Sequence, residues 1–197
     1  MLRRINLFGR LAALFVVLAA FGFYLSQPSQ AQAQITPAYE ASHDAVPYVP
    51  TPMTVAERML ELAKVNRKDV VYDLGSGDGR IVILAAQKFG AHAVGVELDG
   101  ERYRESSARI RKLGLASKAK ILHEDMFKTD IHKATVVTLY LLTSVNEEIR
   151  PMLEKQLRPG TRVVSHDFLM NGWKVERTEE VTVPNGSTHT IYLYIRP

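Results

Sequence analysis

Residues 70–80, VVYDLGSGDGR, place an apolar run, an acid and three alternating glycines in direct succession. Residues of these types, so spaced, suit the holding of a nucleotide-like ligand against bare backbone. Glycine lets main-chain amides approach a ligand closely, and a helix start behind it offers unpaired N–H groups. Asp73 then decides the charge of that ligand. In a dinucleotide site the loop and helix start must host a pyrophosphate, which a carboxylate so close repels. S-adenosylmethionine has no phosphate, and its sulfonium and α-ammonium are both cationic. The spacing Gly75-x-Gly77-x-Gly79 also departs from the G-x-G-x-x-G nucleotide fingerprint. The expected cofactor is therefore S-adenosylmethionine, cradled by Gly75, Ser76, Gly77, Asp78 and Gly79. Within that loop Asp78 is placed to hold the methionine part, while Arg80 starts the next helix.

Two more acids fall where such a cofactor needs them. Glu97 ends the second apolar strand, 24 residues after Asp73, the reach of a carboxylate that accepts both ribose hydroxyls. Asp125, in HEDMF after the third strand, can accept from the adenine amino group while Met126 packs on the ring; Glu124 is the alternative acid. On the acceptor side the candidates are Tyr48, Tyr140, His166 and Asp167, with Thr51 beside the first. Tyr48 lies in PYVPTP, a proline-fixed extended stretch able to fold over the cofactor as a lid. Tyr140 ends the fourth strand, and His166-Asp167 follow the fifth, either as an acid–base pair or as hydrogen-bonding partners of the loop. The remaining histidines, His43, His92, His123, His132 and His189, show no ligand spacing and read as structural or surface residues, so no metal is expected. Trp173 reads as hairpin core.

The elements that must position these groups alternate regularly. TVAERMLELAKV opens with Thr54-x-x-Glu57, a capping-box pattern, and puts Val55, Met59, Leu62 and Ala63 on one face. Then come the strand DVVYDL, a helix closed by Gly90, the strand AHAVGVEL, a helix closed by Gly114, and the strand KAKILHED. ATVVTLYLL is a fourth strand, VNEEIRPMLEKQL a helix and RVVSHDF a fifth strand. The tail, WKVERTEEVTV and THTIYLYI around PNGS, reads as a hairpin. The expected fold is a doubly wound α/β protein with a mostly parallel seven-stranded sheet and an antiparallel C-terminal hairpin.

The chain of 197 residues carries a net charge of +4 and no cysteine. One domain is the natural size reading. Disulfides, thiolate nucleophiles and Cys-ligated zinc are excluded. Arg3, Arg4 and Arg10 supply part of the charge, and ERYRESSARIRKLG mixes signs at helical spacing as a solvated face does, so no nucleic-acid partner is expected. The first 33 residues read as a signal peptide or membrane anchor: a basic start, the 15-residue apolar run LAALFVVLAAFGFYL and the small-x-small Ala31-Gln32-Ala33. A spanning helix needs about 20 apolar residues, so the run lies between the two. Residues 34–47 form a linker and 48–197 the folded domain. Either reading exports or membrane-anchors the domain, with membrane contact through the N-terminal segment; a start codon placed too early makes it cytoplasmic.

DLGSGDGR, VGVELD and HEDMF together resemble motif I, its acidic partner and the adenine loop of class I S-adenosylmethionine-dependent methyltransferases, in order over residues 54–197. PYVPTP, DLGSGDGRIVI and RVVSHDF followed by Trp173 resemble, more narrowly, the protein-lysine methyltransferase family that includes the mitochondrial enzyme acting on the ATP synthase c subunit, with its bacterial relatives. That resemblance implies methyl transfer to a lysine amine on a protein. One departure is Thr143, where the family usually has proline after YLL. The alternatives are a small-molecule methyltransferase with the same cofactor site, and a membrane-tethered module that binds the cofactor without turnover. A nicotinamide oxidoreductase is opposed by Asp73. DNA amino-methylation is opposed by the lack of an Asp/Asn-Pro-Pro-aromatic string after the fourth strand. If the leader is cleaved, terminal sequencing of the protein from its own host finds Gln34 first; Met1 identifies an anchor.

Overall fold

The structure, a computed structural model, describes residues 48–197. The leader and linker lie outside the described residues. Among the described residues no helix is long and apolar enough to cross a membrane.

The elements run α1 (Met53–Leu62), β1 (Val70–Leu74), α2 (Arg80–Gln87), β2 (His92–Glu97), α3 (Gly100–Lys112), β3 (Ala119–His123), β4 (Val136–Leu139), α4 (Thr143–Gln156), β5 (Arg162–His166), β6 (Val175–Thr182) and β7 (Thr188–Ile195). The seven strands form one sheet in the order β3-β2-β1-β4-β5-β7-β6. The first five are parallel, and β7 inserts antiparallel between β5 and β6. β1 is covered on both faces, which is why Val70, Val71 and Tyr72 run apolar without alternation up to Asp73. Val71, Val136, Val164 and Ile191 face one core with Val55, Met59 and Leu60 of α1 and Val82 of α2. Tyr72, Leu74, Val137, Leu139 and Tyr194 face the other, against Ile149 and Leu153 of α4.

β1 lies at the centre, with β2 on one side and β4 on the other. The sense in which successive strands are added therefore reverses beside β1, the switch point at whose carboxyl end open α/β sheets bind ligands. Both the glycine loop after β1 and the loop after β4 open onto that crevice.

Two local expectations are corrected. Thr54 does not cap α1: the helix begins at Met53 behind Pro52, with no side-chain cap. Glu57 instead pairs with Lys88 across the α1–α2 contact. β4 ends at Leu139, leaving Tyr140 just beyond the strand. Thr143 is the first residue of α4, a position where proline fits because its N–H needs no intrahelical partner; threonine costs the helix start little.

Leu153 is fully buried in the second core. Leu153→Ala is expected to lower unfolding free energy by about 2–5 kcal/mol, measured by urea denaturation.

Candidate functional site

The glycine loop is stitched to the neighbouring strand. Gly75 and Ser76 N–H both donate to the Val96 carbonyl, at 3.0 and 2.9 Å. Gly75, Gly77 and Gly79 have φ of +77°, +53° and +74°, conformations other residues adopt only under strain. A Cβ on Gly77 would lie 2.4 Å from the Tyr48 ring. Gly95 in β2 has a matching reason, since its Cβ would meet Ser76 Oγ at 2.5 Å. That close approach, invisible in the sequence, lets the loop sit down on β2.

Glu97 is buried and holds the loop directly. Gly77 N–H donates to its Oε2 at 2.7 Å, and Asp99 N–H to its Oε1 at 2.8 Å. Each carboxylate oxygen accepts more than one hydrogen bond, so capacity remains for a diol. Asp73 is also buried and accepts from Thr138 Oγ1 on β4 at 2.7 Å. Burial pushes its carboxyl up to about 7 against that hydrogen bond, with the nearby charges of Glu97 and Asp78 adding to the rise. Two buried acids in one crevice are a standing demand for positive charge.

The other loop acid is already satisfied. Asp78 takes a two-pronged contact from Arg80, Nε to Oδ1 at 2.8 Å and Nη2 to Oδ2 at 2.7 Å. Burial raises its pKa, but the Arg80 contacts override this and the net shift is downward. Arg80 opens α2 as expected and also donates to the Thr51 carbonyl at 2.9 Å. The pair clamps the stretch at residues 48–52 onto the loop. Tyr48 lies over Gly77 with the Arg102 guanidinium 5.0 Å from its ring centre. It therefore lies against the glycine loop. Asp125 organises its own turn: Phe127 N–H donates to its Oδ1 at 2.9 Å and Lys128 Nζ is 3.1 Å from Oδ2. Met126 packs beside it against the second core.

Tyr140, His166 and Asp167 do meet at the carboxyl ends of β4 and β5. The Tyr140 and His166 rings stack with centroids 3.8 Å apart. The Leu141 side chain next to them would lie 3.3 Å from a Cβ on Gly75, so this cluster borders the glycine loop. His166 is completely buried, and its Nδ1 is 3.2 Å from Thr51 Oγ1. Burial lowers its pKa to about 4, against the pull of Asp167, and His189 lowers it further. Burial followed by the charge of Asp167 raises the Tyr140 hydroxyl. At neutral pH the cluster presents a neutral imidazole and a neutral phenol.

His189, which reads from the sequence as a structural or surface residue, joins this cluster. Its Nδ1 lies 2.9 Å from Asp167 Oδ2 and 3.0 Å from His166 Nε2. The register His166↔Ile191 puts His189 on the same face of β7 as Ile191, just beyond the end of β5. The alternation in THTIYLYI marks a strand but not its partner or register. Trp173 is hairpin core as expected, its indole N–H donating to Glu154 at 2.8 Å and its ring against Tyr194.

The cradle fits S-adenosylmethionine on its own terms. Ser76 Oγ is buried with no hydrogen-bond partner, a Cβ at Gly77 would strike the Tyr48 ring, and two acids are buried beside the loop, Asp73 held by Thr138 and Glu97 with Arg102 Nε at 3.4 Å. Sheet order, loop and acids together define a class I S-adenosylmethionine-dependent methyltransferase. Comparison with known proteins narrows this. Residues 73–177 match the ANTKMT methyltransferase domain, and the chain belongs to that methyltransferase family. A protein-lysine N-methyltransferase of Saccharolobus islandicus (strain REY15A) is 55% identical over 152 residues, 76% of this chain and 93% of that protein. The lysine N-methyltransferase of the ATP synthase c subunit from Caenorhabditis elegans is 30% identical over 140 residues, 66% of this chain and 73% of its own. The crystal structure of an RNA methyltransferase from Salinibacter ruber, in complex with S-adenosyl-L-homocysteine, is 50% identical with a TM-score of 0.71, covering 76% of this chain and 94% of that one.

Asp73 links stability to pH. Its folded pKa, near 7, exceeds its ordinary value of 3.8, so its contribution favours the cofactor-free fold at low pH and is lost as pH rises through about 7. One proton gives a slope of at most about 1.4 kcal/mol per pH unit. Urea denaturation between pH 5 and 8 is expected to show a smaller fall in stability with rising pH for Asp73→Asn than for wild type; equal slopes contradict the assignment.

Proposed function

We propose that this enzyme transfers the methyl group of S-adenosylmethionine to the ε-amine of a lysine on a protein. The observation that carries the reading is the 55% identity to a protein-lysine N-methyltransferase over 93% of that relative. The cofactor supplies an electrophilic methyl on a sulfonium. What remains for the protein is to align a neutral amine with it and exclude water.

Neutrality is the hard part. With a free pKa of about 10.4, a lysine costs roughly 4–5 kcal/mol to deprotonate at pH 7. A pocket walled by uncharged groups disfavours the ammonium and lowers that cost. Tyr140, backed by the stacked, buried and neutral His166, makes such a wall. Tyr48 and the clamped stretch at residues 48–52 lie over the glycine loop. Glu97 is assigned to the ribose, Asp73 to the cationic end, and Asp125 with Met126 to the adenine. Asp78 serves by holding Arg80.

The Salinibacter relative, described as acting on RNA, supports a second acceptor class. The 55% identity to a protein-lysine N-methyltransferase favours protein; on α3, Glu101 and Glu105 alternate with Arg102 and Arg104, and Arg109, Arg111 and Lys112 close the helix.

The test uses methyl-tritiated S-adenosylmethionine and an extract of the native host lacking this gene. Label is expected in material that protease destroys and nuclease leaves intact, and in N-methyllysine after acid hydrolysis. Nuclease-sensitive label overturns the lysine assignment. Glu97→Ala is expected to weaken S-adenosylmethionine binding at least tenfold, about 1.4 kcal/mol, in isothermal titration.

A further inference from the structure

Three donor atoms from β5 and β7 converge beside Tyr140 in a nearly regular triangle. His166 Nε2 to His189 Nδ1 is 3.0 Å, His189 Nδ1 to Asp167 Oδ2 is 2.9 Å, and His166 Nε2 to Asp167 Oδ2 is 3.3 Å. We propose that His166, Asp167 and His189 form a binding site for one divalent transition-metal cation of the zinc class. Imidazole and carboxylate donors hold such a cation at about 2.0–2.2 Å. Two donors at about 2.1 Å stand about 3.0 Å apart at a right angle and about 3.4 Å apart at a tetrahedral one. All three sides of the triangle fall within or close to that span.

The outer contacts agree. A ligating histidine needs its other ring nitrogen fixed, and His166 Nδ1 has Thr51 Oγ1 at 3.2 Å. If that nitrogen carries the proton and donates to Thr51, Nε2 is left bare for a metal. The second oxygen of Asp167 is occupied as well: Thr190 N–H donates to Oδ1 at 2.8 Å, leaving Oδ2 toward the histidines. Protons bridge such a triangle only partly, because three donors at similar separations share two near-linear hydrogen bonds at most. One cation satisfies all three. The site is also reachable, with the Asp167 and His189 side chains 29% and 18% exposed while His166 is sealed.

Ligand chemistry sets the class of cation. Two imidazoles and one carboxylate suit zinc, cobalt, nickel or ferrous iron, whereas magnesium and calcium take oxygen donors. Three protein ligands leave at least one coordination position open. A cation here ties the end of β5 to β7 and, through His166 and Thr51, to the stretch covering the glycine loop. It orders the acceptor mouth whichever acceptor is used, so the proposal stands apart from the lysine assignment.

The test is titration of tag-free, metal-stripped full-length protein with Co²⁺, followed by its visible absorption, and with Zn²⁺ against a chromophoric chelator. One equivalent is expected to bind at micromolar or lower concentration. His189→Ala and Asp167→Asn are expected to weaken binding at least tenfold, and His132→Ala to leave it unchanged. Binding of S-adenosylhomocysteine verifies that each variant is folded. Failure of the wild type to take up a stoichiometric cation, binding that survives both ligand substitutions, or loss on His132→Ala overturns the site. Should the ligand variants not fold, X-ray absorption at the zinc edge of the loaded wild type decides: two imidazoles at about 2.0 Å support the site, and fewer overturn it.

Discussion

Two carboxylates are buried side by side at the carboxyl edge of the sheet, and the surrounding architecture is arranged around keeping them there. Asp73 has one hydroxyl partner, Thr138. Glu97 has backbone partners, one of them the loop residue Gly77. Neither has an arginine seated on it as Asp78 has; the nearest, Arg102 Nε, stands 3.4 Å from Glu97. A buried acid without a strong counter-charge takes up a proton or attracts a cation. The parallel order β2-β1-β4 puts both acids at strand ends beside one loop. The three glycines let that loop approach closely enough for a cationic ligand to reach them.

Much of this was legible in the sequence, for identifiable reasons. Parallel strands covered on both faces leave unbroken apolar runs, so β1, β2 and β5 stood out. Asp73 and Glu97 could be placed because each ends such a run. Asp78 and Arg80 were legible as loop acid and helix start, but not as partners, since nothing in their spacing shows that Arg80 also reaches the Thr51 carbonyl. Gly95 gave no signal, because its reason is a side chain nineteen positions earlier in the chain, Ser76. The neighbours of His189 gave no signal for a similar cause: they are fixed by an antiparallel register between β5 and β7, and alternation within one strand does not reveal register. The Thr54 capping pattern failed because Pro52 already sets the chain direction one residue before the helix opens.

The acceptor side follows a different rule from the cofactor side. On the proposed cofactor side two acids are buried together, with Arg102 at the edge of Glu97. On the proposed acceptor side Tyr140 and His166 stack as neutral rings, and Asp167 is hydrogen-bonded to His189. A sulfonium needs the first environment and an uncharged nucleophile needs the second. Leu141 joins them, lying against Gly75 on one side and following Tyr140 in the chain on the other.

The central claim is that a cationic cofactor meets a carboxyl group that is partly protonated before it arrives. Isothermal titration of S-adenosylmethionine at pH 7, repeated in buffers of differing ionisation enthalpy, counts the protons that move on binding. Net proton release is expected for the wild type, with that release lost in Asp73→Asn. No release, or the same release from both proteins, contradicts it.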